Sequence, residues 1–371
     1  MGTRVGLCMI VKDEAHVIGR CIESVRPMID TWTIVDTGST DGTQQLVTSL
    51  LSDIPGTLHE RPWRNFGSNR SEALELAREA ADYSLIVDAD EVLELPPAFS
   101  WPPLVADGYS LTMVTGTVTY RLERLVANRL PWRYRGVIHE YIECETPARC
   151  LPLDGPRIVG LFDGGRGAGL TQAEKYTREA ELLEQAVADE PDNPRYRYYL
   201  ARSYLWAGQW ANALESFQQR ATMGGHAEEV YDSLINVAGM NEQLGADPDV
   251  VVAAYLAAFE CRPIRAEPLC ELARYLRQNG RYRLAHLFAS YAEAMPRPEN
   301  EVLWVDEGVY RWRARDELGV AASWIGRNEE SSALCRDLLS DDRLPDNERA
   351  RVQANLELAE SRLADRPGPT G

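Results

Sequence analysis

The chain has 371 residues and a net charge of −18, from 39 Lys and Arg against 57 Asp and Glu, with 44% hydrophobic residues. That composition belongs to a globular protein, and at about 150 residues per domain the length suggests two or three domains. The acidity argues against broad nucleic-acid binding and against an anionic membrane surface, and no apolar run nears the roughly 18 residues a membrane span needs.

Residues 5–11 read as a buried strand, followed at once by Lys12-Asp13-Glu14. Neither the basic start nor the cleavage site of a signal peptide is present. Seven cysteines without a Cys-x-x-Cys pair predict a reducing, cytoplasmic setting and no disulfide framework or zinc ribbon. Residues 15–25 place Val17, Ile18, Cys21, Ile22 and Val25 on one helical face. Residues 31–35 form a second apolar strand, closed by Asp36-Thr37-Gly38-Ser39. Thr40 or Asp41 caps the next helix, which runs through Leu46, Val47, Leu50 and Leu51. Residues 71–81 read as a helix and residues 84–87 as a third buried strand. Strand alternating with helix implies a parallel α/β sheet with ligands beyond the carboxyl ends of its strands.

Residues 110–120 and 133–143 each read as a further strand. Five glycines then fall between positions 160 and 169. No Gly-Lys-Ser/Thr follows, so this is no P-loop; it reads either as an interdomain linker or as a mobile lid. Beyond 171 the chain is helical and repetitive. Ala201, Tyr204, Gly208, Trp210, Ala213 and Phe217 recur as Ala273, Leu276, Gly280, Tyr282, Ala285 and Ala289. A degenerate copy surrounds Gly245, a poor fourth surrounds Gly326, and residues 347–363 read as a capping helix. The interval is close to the roughly 34 residues of a tetratricopeptide unit. The expected domains are residues 1–170 and 171–371. Of Tyr196, Tyr198, Tyr199, Tyr204, Trp206 and Trp210, half or more are expected in the core.

The strongest chemical signal is Asp88-Ala89-Asp90 after a buried strand. Residues two apart on an extended backbone share a side, so the two carboxylates present hard oxygens suited to Mg²⁺ or Mn²⁺. Asp36 either accepts a hydrogen bond from a base imide or belongs to a plain strand–turn–helix connection, where Gly38 permits the turn.

These segments resemble family-2 glycosyltransferases of the GT-A fold. The matching stretches are residues 9–14 (Met-Ile-Val-Lys-Asp-Glu), residues 35–43, residues 65–70 and residues 88–91. The helical half is similar to the tetratricopeptide extension of a bacterial branch that includes peptide and protein glycosyltransferases. The resemblance implies an α/β GT-A catalytic domain, a Rossmann-like mixed sheet, followed by an all-α tetratricopeptide-like repeat domain. It implies an inverting transfer from a nucleotide-sugar, most often UDP-linked, with Mn²⁺ or Mg²⁺.

On that resemblance the donor side comprises Ile10, Val11, Lys12, Asp13, Glu14, Asp36, Gly38, Asn69, Arg70, Asp88 and Ala89. Asp88, Asp90 and His139 are the expected metal ligands, His139 being alternatively a hydrogen-bonded strand residue. Arg70 reaches the diphosphate or pairs with Glu72 or Glu75. Glu140, Glu91 and Asp163 are candidate general bases. Arg124, Trp132, Arg133 and Arg135 line the acceptor side or lie exposed on a hairpin.

The leading expectation is a protein or peptide acceptor docked on the repeats, which also offer a surface for self-association. The rivals are a cell-envelope glycolipid, small-metabolite or modified-DNA acceptor, and a non-catalytic scaffold with a decayed transferase domain.

Overall fold

A computed structural model describes residues 2–115, 118–161, 163–165, 170–301 and 303–364, and it divides into two units, Met1–Ala188 and Asp189–Gly371. The expected boundary at 170 thus falls earlier than the observed one, just before helix α4 (Gln172–Asp189), most of which belongs to the first unit.

The first unit is built on strands β1 (Val5–Val11), β2 (Thr31–Asp36), β3 (Gly56–Glu60) and β4 (Tyr83–Ile86). They lie in the order β3-β2-β1-β4, all parallel. Helices α1 (Ile18–Val25), α2 (Thr43–Leu50) and α3 (Phe66–Ala77) make the connections. Val5, Leu7, Ile34 and Leu85 are inaccessible to solvent, and each contributes roughly 1.5–3 kcal/mol of apolar burial. Continuous apolar strands are what a sheet covered on both faces requires.

The sheet then turns mixed. Strands β5 (Glu91–Glu94), β6 (Gly108–Thr115) and β7 (Val118–Ala127) precede a separate hairpin of β8 (Trp132–Arg135) and β9 (Tyr141–Cys144). Strand β10 (Cys150–Gly160) completes the order β4-β7-β6-β10-β5. The single strand expected over 133–143 is therefore two strands with the 136–140 loop between them. Strand β10 is bulged between Pro152 and Arg157, where Gly155 holds φ +110°. Helix α3 begins five residues before its expected start because Asn65 caps it, its side chain accepting from the Ser68 amide at 2.8 Å. All seven cysteines are free.

The second unit is a run of antiparallel helix pairs: α5 (Pro194–Trp206) with α6 (Trp210–Thr222), α7 (Ala227–Gln243) with α8 (Pro248–Cys261), and α9 (Glu267–Gln278) with α10 (Tyr282–Glu293). After a π-helical turn at Val309–Arg313 come α11 (Ala314–Trp324), α12 (Asn328–Ser340) and the capping α13 (Asp346–Ala364). Each pair closes the same way. Gly208, Gly245, Gly280 and Gly326 hold φ of +75°, +70°, +73° and +80°. The next residue donates to the carbonyl five positions back, Gln209 to Tyr204 and Arg281 to Leu276 at 2.8 Å, Ala246 to Asn241 and Arg327 to Ala322 at 2.9 Å. These are Schellman closures, and the copy read as poor around Gly326 is as regular as the others. Tyr196, Tyr198 and Tyr204 are buried, Tyr199 and Trp206 half-buried and Trp210 exposed, so half of the six aromatics are core.

Candidate active site

The carboxyl ends of β1 and β2 are laced together. Thr37 donates its amide to the Val11 carbonyl at 2.9 Å, and the Asp13 amide reaches the Ser39 hydroxyl at 2.9 Å. The Asp13 carboxylate accepts from the Thr40 amide at 2.7 Å, and the Glu14 amide donates to the Thr43 hydroxyl at 2.8 Å. Asp13 holds a left-handed φ of 55°, a strained value for a residue with a side chain. The Asp41 carboxylate accepts from the Thr43 and Ala15 amides and so bridges the two loops, but the N-cap of α2 is Gly42 and neither Thr40 nor Asp41 fills the capping place expected for it.

Asp36 is buried at the tip of β2. Its oxygens accept from the Gly38 and Ser39 amides at 3.2 and 3.0 Å and from the Gln44 amide group at 2.7 Å. Burial opposes its charge, yet the hydrogen bonds from Ser39, Gln44 and Gly38 prevail and hold its carboxyl below the usual range. Gly38 has open space where a Cβ would stand, so its φ of +108° is what requires glycine.

Ala89 is buried in the core while Asp88 and Asp90 stay half-buried; β4 ends at Ile86 and the Glu91 amide bonds the Asp88 carbonyl at 3.0 Å, so the two carboxylates stand on a turn and not on the extended strand expected for them. The Asp88 carboxylate meets Arg70 at 2.6 Å, with Arg124 at 3.9 Å on its other oxygen. Arg70 also donates to Glu140 at 2.8 Å and lies over the Tyr134 ring at 5.6 Å. Burial opposes its charge, but Asp88 and Glu140 keep Arg70 firmly protonated. Neither expected surface partner is used; Glu72 pairs with Arg61 instead.

The loop carrying Glu140 is set by a close approach. A Cβ on Gly67 would stand 2.2 Å from the Gly136 carbonyl oxygen, and the Phe66 amide donates to the Val137 carbonyl. The first turn of α3 and the 136–140 loop therefore pack backbone to backbone, which brings Glu140 to Arg70.

Several expected residues have other positions. Arg124, placed by the sequence on the acceptor side, is buried and donates to Glu91 at 2.8 Å. Glu91 accepts the Asp88 amide with its second oxygen at 2.8 Å, so both its oxygens are engaged. Trp132 is buried core, its indole donating to the Ala127 carbonyl. Arg133 and Arg135 pair with Glu143 across the β8–β9 hairpin. Asn69 is fully buried and ties down the preceding loop, accepting the Arg64 amide at 2.9 Å and donating to the Pro62 carbonyl at 3.1 Å. Lys12 is exposed.

Asp163, Gly164 and Gly165 fold onto the site. The Gly165 amide donates to Glu14 at 3.1 Å, and a Cβ there would meet the Asp13 carbonyl at 2.5 Å. Asp163 pairs with Arg20, and its carbonyl bonds His16 at 2.8 Å. The rest of the expected linker or lid, at 162 and 166–169, lies outside the described residues. Gly164 and Gly165, read only as part of a glycine run, thus belong against the site. The signal was present in their spacing but not its target.

His139 holds φ 51° and faces Glu179 of α4 at 3.8 Å. Among the described residues no group of three or more His, Cys, Asp or Glu side chains is arranged to hold a metal, so the expected set Asp88, Asp90 and His139 does not converge. The donor chemistry nevertheless suits a hard divalent cation at Asp88 and Asp90, whose oxygens leave further positions to phosphate and water. Asp90 is pushed above the usual carboxylate range first by burial and then by the neighbouring Asp88.

With this geometry established, residues 7–133 match the profile of Glycosyl transferase family 2. A TPR repeat-containing protein of Synechococcus elongatus is 28% identical over 276 residues, covering 69% of this chain and 66% of that protein. The lipopolysaccharide core biosynthesis glycosyltransferase LpsC of Rhizobium meliloti is 34% identical over 99 residues, covering 26% of this chain and 36% of LpsC. The chain thus spans less than two thirds of each. A solved tetratricopeptide repeat protein from Parabacteroides merdae overlaps 52% of this chain and 71% of its own, at 20% identity and a TM-score of 0.38. No helix among the described residues is long and apolar enough to cross a membrane. Residues 7–133 are thus similar to glycosyl transferase family 2 domains, and the mixed sheet that carries them is followed in this chain by a tetratricopeptide-like array of helix pairs.

Proposed function

We propose that the chain is a metal-dependent, inverting glycosyltransferase that moves a sugar from a UDP-sugar to a protein or peptide acceptor docked along the helical array. One observation carries this reading: Asp88 and Asp90 flank the buried Ala89 beyond β4, with Arg70 held between Asp88 and Glu140. The Asp36 loop and the backbone of Ile10, Val11 and Lys12 border the base. Asp13 and Glu14 fix that backbone through their bonds to Thr40 and Thr43. Asp88 and Asp90 would hold Mn²⁺ or Mg²⁺, which would supply Lewis-acid stabilisation to a diphosphate leaving group.

Arg70 offers the planar fork that suits a phosphate oxygen pair. Glu91, with both oxygens engaged, positions the Asp88 turn and is not the base. Glu140 is our choice of base, because it shares Arg70 with Asp88. The acceptor hydroxyl passes its proton to Glu140 as its oxygen bonds to the anomeric carbon. The bond from that carbon to the diphosphate oxygen breaks, and its electron pair leaves with the nucleotide. Attack opposite the leaving group inverts the centre. Asp163, paired with Arg20, is the alternative base.

The test is a thermal-stabilisation screen of nucleotide-sugars with and without Mn²⁺. A UDP-sugar should raise the melting temperature only when Mn²⁺ is present; no response to any donor would sink the reading. Glu140→Gln should keep donor binding and slow transfer, and an unchanged kcat would move the base to Asp163. The likeness to LpsC favours a second reading, in which the acceptor is a cell-envelope glycolipid. Mass spectrometry of proteins and of lipid extracts from co-expressing cells separates the two.

A further inference from the structure

Between α10 and the π-helical turn the chain leaves the helical pattern and returns across the array. Glu301, almost wholly buried, meets Arg262 at 2.8 Å and Arg265 at 3.5 Å. The Leu303 amide donates to Glu228 at 2.7 Å, and the Asp306 amide to Glu267 at 3.2 Å. Arg265 donates to the Leu303 and Trp304 carbonyls at 3.2 and 3.0 Å. The Trp304 indole donates to the Tyr198 hydroxyl at 2.8 Å, and its ring lies 3.9 Å from the Arg202 guanidinium, which Trp206 faces from 4.5 Å.

Backbone groups normally find partners in secondary structure. Here two amides and two carbonyls of an irregular segment are satisfied by side chains of Glu228, Arg265 and Glu267, all buried. A groove that recognises a peptide divides the work in the same way: main-chain bonds give affinity and side-chain seats give selectivity. One seat takes a carboxylate, at Arg262 and Arg265. The other, three residues on, takes an indole between Tyr198 and Arg202. Trp304 is 51% exposed and holds a left-handed φ of 51°. Its seat is therefore reached from solvent, and the segment is held in a conformation that a side chain disfavours.

We propose that the side of the array formed by α5 and the first turns of α7 and α9 is a recognition groove. Its ligand is a peptide with a carboxylate and, three residues later, an indole on a turned backbone, and Glu301 with Leu303 to Asp306 fills the groove as an internal stand-in. The proposal rests on the reading that the array docks the acceptor. Its test needs neither donor nor metal, so the two fail separately.

The probe is a fluorescent decapeptide with the sequence of residues 298–307, titrated against the full chain and against Trp304→Ala. The variant should bind it at least about 10-fold tighter than the native chain, and a probe with its Trp replaced by Ala should not bind. Equal affinities, or no binding by a variant whose helical spectrum is intact, would overturn the proposal. A measurement on the native chain guards against a misfolded variant. Saturating probe should speed hydrogen exchange at the Leu303 and Asp306 amides, and unchanged protection there would equally overturn it.

Discussion

Both units bury charge, but they balance it differently. In the array Arg265 sits between Glu267 and Glu301, Arg202 meets Asp232, and Arg277 meets Glu317. These inward-facing charges meet their opposites, which is what burial demands. At the carboxyl end of the sheet Glu14 and Asp90 face other carboxylates. Burial raises both, and Asp90 with Asp88 raises Glu14 further. Like charges held together in a cleft mark a place where a ligand supplies the missing sign.

The contrast is broken most severely in the array. Arg265→Met should leave Glu267 and Glu301 without their shared cation and lower stability by about 3–5 kcal/mol. Urea unfolding measures this, and a loss below about 1 kcal/mol would show that those carboxylates are not dependent on it. At the site the same kind of change should act on binding instead. Asp90→Asn should reduce Mn²⁺-dependent UDP affinity by at least about 100-fold, beyond the usual effect of an outer-shell partner, with the fold preserved. Calorimetry showing unchanged affinity would remove Asp90 from the metal.

Gly67→Ala probes how the site is assembled. The new Cβ meets the Gly136 oxygen, so the first unit should lose about 1–3 kcal/mol, and Glu140 should shift from Arg70. A melting temperature equal to the native protein's would contradict the close approach. Gly326→Ala and Gly280→Ala should each cost about 1–2 kcal/mol, because both positions are left-handed. A much smaller loss at Gly326 would reopen the distinction between the fourth pair and the rest.

The smallest effect is on pH dependence. Asp36 has a lowered folded pKa, so its hydrogen bonds contribute stability above the unfolded value of about 3.9. That contribution is lost as pH falls through the folded value. Asp36→Asn should flatten the acid limb of the stability curve, and an identical limb in both proteins would show that the Asp36 loop bonds add nothing.

Strands β1, β2 and β4 were legible because each is a continuous apolar run. β3 and β5 were not. β3 is largely exposed, and β5 opens on Glu91, whose burial depends on Arg124, 33 residues away. The three glycine turns were read from spacing. The fourth reads as a poor copy because its flanking residues differ, although a left-handed closure needs only the glycine. Asp36, Asp88 and Asp90 stood out because each follows an apolar strand. The partner of Arg70 did not, since nothing within a helix turn points to a loop 70 residues on.

Periodicity, turn glycines and strand-end carboxylates are local properties, so residue order alone fixes the two architectures and the acidic edge. Which charges neutralise one another follows only from the folded backbone. It set Arg124 and Asn69 inside, joined Arg70 to Asp88 and Glu140, and folded Glu301 and Trp304 back onto α5 and the start of α9. Pairing of buried charge depends on distance in space, and chain order carries no such distance until the backbone has closed.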